Sequence, residues 1–359
     1  MRRGQSCCEK GGVQVGKEKG EILMREILEQ PSAIKESLSA VDLSELAHLF
    51  RKPLSRVILM GMGASFNAAL YGQFLFSQLT HVRAQAYLSS DLLYYPPPIS
   101  KEDLVIFVSQ SGHTVETVRA ATLLKESGFG RTLALTNTAD SPLTKATGLS
   151  IVTRAGVERA SSTKTYVSAL AVLNLIAKAA ANMLTDSKAY DYDPKQRLML
   201  ISDLLADKMG GWSEKIRSVV DVFKQASVRF LLARGFNLAT AKTGSLLFKE
   251  AAKIWVEAYD AAEFRHEALE LINERAAAII IAAGPTEQVS RKLAVNMEKL
   301  GGTALVFTPM DLGFDERIDE DLTVFPFTTF LELAAHAMAL SRGVDPDIFT
   351  AMSKVTLEE

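Results

Sequence analysis

Residues 104–114 read LVIFVSQSGHT. Leu104 to Val108 is an unbroken apolar run, and an amphipathic stretch follows Thr114. A short run of this kind, bounded by turn-forming residues, reads as a strand inside a parallel sheet, and the stretch after it reads as the crossover helix. The six residues between them, Ser109 to Thr114, hold three hydroxyls, an amide, a glycine and a histidine. Ligands of open parallel sheets collect at such strand-to-helix loops.

The same plan extends in both directions. Runs rich in Val, Ile and Leu recur at 56–60, 132–136 and 149–153, separated by helix-length segments. It then starts again, with apolar runs at 228–233, 276–283, 303–307 and 322–325. This alternation predicts an α/β protein of two tandem, doubly wound parallel-sheet domains of flavodoxin-like type, with helices on both faces. The expected division is a flexible leader at 1–23, a first domain at 24–190, a second at 191–345 and a tail at 346–359. Residues 170–183 are apolar enough for a packed helix, and the polar segment 185–196, with its Asp193-Pro194 turn signal, marks the boundary.

At 359 residues the chain exceeds what one core usually organises, which agrees with two domains. Forty basic residues against 42 acidic ones, with no long block of either sign, speak against a nucleic-acid partner. No purely apolar run approaches the roughly 20 residues of a bilayer span, so no membrane association is expected and the protein reads as soluble and cytoplasmic. The two cysteines, Cys7 and Cys8, sit together in the polar leader and read as surface thiols.

Four loops follow apolar runs or sit near them: GMGAS at 61–65, SQSGHT at 109–114, TNTADSP at 136–142 and SSTKT at 161–165. Small hydroxyl residues beside a helix N-terminus suit an anion, because the first backbone N–H groups lack partners there and the dipole favours negative charge. Gly112 would let the backbone approach an oxygen closely, and Thr114 could cap and ligate. Alternatively, Ser109 and Ser111 only cap a helix; several such loops in one half favour the anion. No G-x-x-x-x-G-K-[ST] string is present, and Phe66 occupies the third glycine position of a dinucleotide loop, which weakens both nucleotide readings. His48, His81, His113, His266 and His336 show no paired spacing, so no metal is expected.

The second half adds SLLFKEAAKIWVEAYDAAEFRHEALELI at 245–272. Glu250 and Glu257, seven apart, are expected on one helix face, with His266 downstream. A carboxylate and an imidazole are what sugar ring opening and proton transfer between adjacent carbons require. The bland alternative pairs Glu250 with Lys253 on an exposed helix and makes His266 structural.

These residues together resemble the SIS (sugar isomerase) domain family, and within it the isomerase half of the glutamine–fructose-6-phosphate aminotransferases. The likeness runs from Met24 to the end of the chain. SQSGHT is similar to that family's Ser-Gln-Ser-Gly-Glu-Thr loop, GMGAS to its Cys-Gly-Thr-Ser loop, AGVERASSTK at 155–164 to its Ala-Gly-(Thr)-Glu…Ser-Thr-Lys segment, and 231–266 to its Gly-Arg-Gly, Lys-Glu and Glu-Ala-Tyr…His run. By matching positions, the resemblance implies that Ser109, Gln110, Ser111 and Thr114 hold the phosphate of a hexose or hexosamine 6-phosphate. It implies that Gly63, Ala64, Ser65 and Ser162 line the sugar and that Glu250 shuttles a proton between C1 and C2. It further implies a homodimer in which His266 enters the neighbouring subunit's site and assists ring opening, with no cofactor.

Four departures shape the expected activity. No glutaminase segment or nucleophilic amino-terminal cysteine is matched. Leu247 replaces a lysine, and Glu267-Ala268 replaces a Gly-Pro. Lys354 falls one place after the lysine that attacks the carbonyl, in an arrangement closer to stand-alone deaminases and deglycases; it is a Schiff-base candidate, unless its place reflects only a mobile tail. The expected function is an isomerase coupled to deamination of an amino sugar 6-phosphate. The alternatives are a fructosamine-6-phosphate deglycase, a sugar-phosphate sensor without turnover, or, more remotely, a nicotinamide oxidoreductase.

Overall fold

The computed structural model describes residues 18–51, 53–184, 190–315, 318–351 and 353–358. Cys7 and Cys8 lie outside the described residues. The chain opens with two helices, α1 (Glu21–Leu28) and α2 (Gln30–Ala40). The first α/β unit follows as β1 (Arg56–Gly61), α3 (Ala64–Thr80), β2 (Arg83–Leu88), α4 (Ser89–Tyr94), β3 (Asp103–Val108), α5 (Val115–Glu126), β4 (Thr132–Thr136), α6 (Pro142–Ala146), β5 (Leu149–Val152) and α7 (Lys164–Leu184). The second comprises α8 (Pro194–Lys208), α9 (Ser213–Gln225), β6 (Val228–Ala233), α10 (Asn237–Glu250), β7 (Glu257–Asp260), β8 (Ala276–Ile281), α11 (Glu287–Lys299), β9 (Thr303–Phe307) and α12 (Val324–Ser341).

Both sheets are parallel. The first has the order β2-β1-β3-β4-β5 and the second β7-β6-β8-β9 among the described residues, as expected for tandem flavodoxin-like units. Every residue of β3 and β8 is buried, so these central strands read as continuous aliphatic runs. The edge strands β2 and β7 escaped the sequence reading because they face solvent along one side. Their sequences, RAQAYL and EAYD, mix polar and small residues rather than massing Val and Ile.

Three further expectations need correction. Residues 322–325 are not a strand: they end a 3-10 turn and begin α12, which is apolar on every side and almost wholly buried. Periodicity alone does not separate a buried strand from a buried helix, and Pro326 is tolerated because it falls in the first turn. Residues 21–23, assigned to the flexible leader, form the first turn of α1, and Leu23 is fully buried. Glu250 and Glu257 do not share a helix face: α10 ends at Glu250 and Glu257 opens β7. Lys253, in the left-handed region at φ 53°, makes the turn between them.

The two units share one core. Its main cluster runs from Leu23 of α1 through Tyr71 and Phe76 of α3 and Leu170–Ala180 of α7 to Phe248 of α10 and Phe330 of α12. The helices Lys164–Leu184 and Glu320–Ser341 are long and apolar enough to span a bilayer, but 78% and 94% of their apolar windows is buried inside the protein. Across this seam the Lys178 ammonium lies 2.8 Å from the Asp321 carboxylate, both side chains being buried. Asn174 donates to Asp321 at 2.7 Å and to the Tyr71 hydroxyl at 2.8 Å, and Tyr71 donates to the Asp321 carbonyl at 2.8 Å. A buried pair is tolerable only when further hydrogen bonds satisfy it, as here. Asn67 of α3 also donates to the Thr243 hydroxyl of α10 at 3.1 Å, tying the helix that ends in Glu250 to the first unit.

Candidate active site

The chain reverses its winding direction between β1 and β3, so the loops leaving these strands diverge and open a crevice at their carboxyl ends. The loops are 61–65 and 109–114. Gly63 sits at φ 53° at the N-cap of α3, and Gly112 at φ 64°. A side chain at 112 would place its Cβ 2.2 Å from the Ser141 hydroxyl, so glycine is required here on both conformational and steric grounds.

Within 109–114 the hydroxyls stitch the loop together. The Ser109 oxygen accepts from the Gly112 amide at 3.2 Å and lies 3.2 Å from the Thr114 hydroxyl; the Ser111 oxygen accepts from the His113 amide at 3.0 Å. Ser109 and Ser111 therefore brace the turn ahead of α5 rather than cap the helix itself, whose N-cap residue Thr114 makes no side-chain capping bond. The tail reaches this place as well, where the Val115 amide donates to the Thr356 carbonyl at 3.2 Å.

Ala64, Ser65, Gln110 and Ser162 line one small pocket together with Thr136, Asn137, Thr153, Thr165 and Tyr166. Gly63 turns toward a separate cleft shared with Asn67, Lys242 and Lys249. Asn137 braces the pocket, accepting from the Thr153 hydroxyl at 2.9 Å and the Ala155 amide at 3.0 Å while donating to the Gly156 carbonyl at 2.8 Å.

The loop between β5 and α7 is held by two carboxylates. Glu158 accepts from the Thr163 amide at 2.9 Å, the Thr165 amide at 3.1 Å and the Thr165 hydroxyl at 2.6 Å. Glu26, from α1, accepts from the Arg159 amide at 2.6 Å and the Ala160 amide at 3.1 Å. Burial holds the Glu26 carboxyl above the ordinary carboxylate range, against the lowering effect of those two amides.

Glu250, at the end of α10, faces the 158–161 loop from the second unit. Burial raises its carboxyl above the usual range, while the Ser161 hydroxyl, Lys354 and Lys253 each pull it down and Glu158 pushes it up. It is not the surface partner of Lys253. The Lys253 ammonium instead donates to the Glu250 backbone carbonyl and, at 3.1 Å, to the Ile348 carbonyl of the tail.

Lys354 is placed differently from a free nucleophile. Its ammonium lies 3.0 Å from the Glu158 carboxylate and donates to the Ala160 carbonyl. An amine so engaged is a latch between the tail and the 158–165 loop. His266 is exposed at the end of a 3-10 turn, and among the described residues no hydrogen bond or ion pair joins it to the Glu250 cluster.

Glu26, Glu158, Ser161 and Tyr166 were not among the expected site residues. For Glu26 a signal existed, because a lone carboxylate falls on the buried stripe Leu23, Ile27 and Gln30 of the first two helices. Glu158 and Ser161 lie inside the 155–164 motif, but nothing in their spacing separates them from Ser162.

Comparisons with known proteins bear on the family and the fold. The SIS domain profile matches residues 49–179 and 223–314. The glutamine–fructose-6-phosphate aminotransferase of Escherichia coli K12 is 29% identical over 360 residues, and so is that of Pectobacterium atrosepticum. Each alignment takes in 94% of this chain but only 59% and 58% of the relative's length. Among solved structures, the C-terminal domain of the Francisella tularensis glucosamine-fructose-6-phosphate aminotransferase superposes with TM-score 0.80 at 22% identity, covering 93% of this chain and 99% of that one. A glucosamine-6-phosphate deaminase from Thermotoga maritima gives 0.74 at 20% (93% and 99% covered), and the tagatose-6-phosphate ketose/aldose isomerase of Escherichia coli 0.76 at 17% (92% and 96% covered). At these identities the likeness is one of fold.

Proposed function

The chain belongs to the SIS domain family, and from that premise we propose that it is a phosphosugar isomerase that also deaminates an amino sugar 6-phosphate. One observation carries this reading: Glu250, largely buried and with a raised pKa, meets the 158–162 loop beside the hydroxyl-rich crevice of the first sheet. In this reading the loop 109–114 and the first turn of α5 bind the phosphate through hydroxyls and backbone amides. Ala64, Ser65, Gln110 and Ser162 hold the sugar, with Gly63 shaping the turn into α3.

Glu250 takes the proton from C2 of the opened aldose and returns it to C1. A carboxyl above its usual range is matched to that exchange at neutral pH. With an amine on C2, the same transfer yields a C2 imine, which water hydrolyses to the ketose and ammonia. Because Lys354 is tied to Glu158, this reading assigns it to closing the tail over the site rather than to a Schiff base. His266 is supplied by a second copy of the chain, as its exposure allows. Residues up to about 190 bind, the second unit catalyses, and the enzyme works in the cytoplasm.

The test is ammonia release from glucosamine, galactosamine and fructosamine 6-phosphates, with Glu250→Gln beside the wild type. Release from glucosamine or galactosamine 6-phosphate that disappears in the variant supports the reading. Release confined to fructosamine 6-phosphate makes the enzyme a deglycase, and binding without release makes it a sensor.

A further inference from the structure

We propose that the Ser161 hydroxyl hydrogen-bonds the substrate at the carbon that Glu250 deprotonates, bridging the reacting end of the sugar and the carboxylate. The inference rests on the proton shuttle proposed above and adds to it a residue that the family resemblance did not supply.

Ser161 is 2% exposed, and among the described residues its buried oxygen has no hydrogen-bond partner. The neighbouring threonine hydroxyls are engaged: Thr163 lies 3.4 Å and Thr165 2.6 Å from the Glu158 carboxylate. Buried hydroxyls in native proteins are nearly always paired, so an exception calls for a reason. Here the backbone on either side is fixed, with the Arg159 and Ala160 amides bonded to Glu26 and the Thr163 and Thr165 amides to Glu158. Ser161 is therefore held rigidly in a place where its side chain has no protein partner at full hydrogen-bonding geometry.

The place is informative. Ser162, the next residue, lines the pocket, and the Ser161 hydroxyl lies near enough to Glu250 to favour its ionised form. A hydroxyl has one proton to give and two lone pairs to accept with. Ser161 can donate to the Glu250 carboxylate and accept from the C2 hydroxyl or amino group of a ring-opened sugar. The two bonds together aim the carboxylate at the C–H bond, which is the positioning that proton transfer needs.

The experiment compares wild type, Ser161→Ala, Ser161→Thr and Glu250→Gln in deuterium oxide. Deuterium entry at C1 and C2 of fructose 6-phosphate and glucosamine 6-phosphate is followed by proton NMR, with thermal unfolding of each variant alongside. The inference expects Ser161→Ala to lose on the order of 10–100-fold in kcat, as for one hydrogen bond to a charged group. Its acid limb should move to higher pH, and Ser161→Thr should keep most of the rate. Removing a hydroxyl that makes no complete hydrogen bond to the protein should change the melting temperature little, whereas a structural role would lower it. A Ser161→Ala enzyme as fast as wild type beside an inactive Glu250→Gln overturns the inference and leaves the shuttle standing, as does a loss of rate that only follows a loss of folding. An active Glu250→Gln removes both.

Discussion

The Lys354 ammonium lies 3.0 Å from the Glu158 carboxylate, whose side chain is fully buried. This ties the chain's tail to the loop that carries Ser161 and Ser162. It also separates a latch from a covalent catalyst, because a lysine held as an ion pair by a carboxylate is a poor nucleophile at neutral pH. Reaction with an amino sugar 6-phosphate in the presence of sodium borohydride should leave the protein's intact mass unchanged. A sugar adduct on Lys354 would reverse the assignment.

Replacing that lysine has a second consequence. Lys354→Met removes one donor from a buried carboxylate that keeps four others, the amides and hydroxyls of Thr163 and Thr165, so the expected loss is about 1.5–3 kcal/mol, the value of a hydrogen bond to a charged group. Urea unfolding measures it. Turnover should fall with KM rising, since the tail no longer closes on the loop.

Gly112 offers a sharper probe of the crevice. At φ 64°, with Ser141 crowding the Cβ position, Gly112→Ala forces a left-handed alanine, at about 1–2 kcal/mol for the backbone alone. The expected result is a folded, destabilised protein whose KM for any 6-phosphohexose rises far more than its kcat falls. Isothermal titration with the substrate checks this.

Glu332, buried behind the crevice near Tyr166 and Glu158, provides a pH test of its own. Burial pushes its carboxyl well above the ordinary range, against the hydrogen bond from Gln30. The folded state then binds this proton more tightly than the unfolded chain does. Stability therefore falls as pH rises from the ordinary carboxylate value through the folded one, and the loss is complete above it. Glu332→Gln, which mimics the protonated form, should flatten that slope in a series of urea midpoints from pH 5 to 9.

The seam between the units is open to a similar trial. Lys178→Met leaves Asp321 buried beside Tyr71 and Asn174 without its cation. Breaking a buried pair from one side costs about 3–5 kcal/mol, seen as an earlier urea midpoint.

How far these features could be read in advance depended on where each residue sat. The central strands β1, β3, β4, β6 and β8 were legible because burial on both faces demands aliphatic runs, and the edge strands β5 and β9 because LSIV and TALVF still carry Leu, Ile and Val. The edge strands β2 and β7 were not, since half of each lies in contact with solvent, and α12 imitated a strand because its first residues are as apolar as a strand's. The crevice loops were legible from their hydroxyls and glycines. Ser161 and Glu158 became distinct from their neighbours only through the loop's hydrogen bonds, and the contact of Lys354 with Glu158 was not legible because the two lie 196 residues apart in sequence.

The central claim is that a carboxylate from the second unit moves a proton on a sugar held by the first. Incubating wild type and Glu250→Gln with glucosamine 6-phosphate in deuterium oxide, and reading the C1 and C2 proton signals over time, tests it most directly. The account predicts deuterium at those carbons with wild type and a loss of at least about 100-fold in the variant, in line with general acid–base catalysis. Equal exchange in both proteins would contradict it.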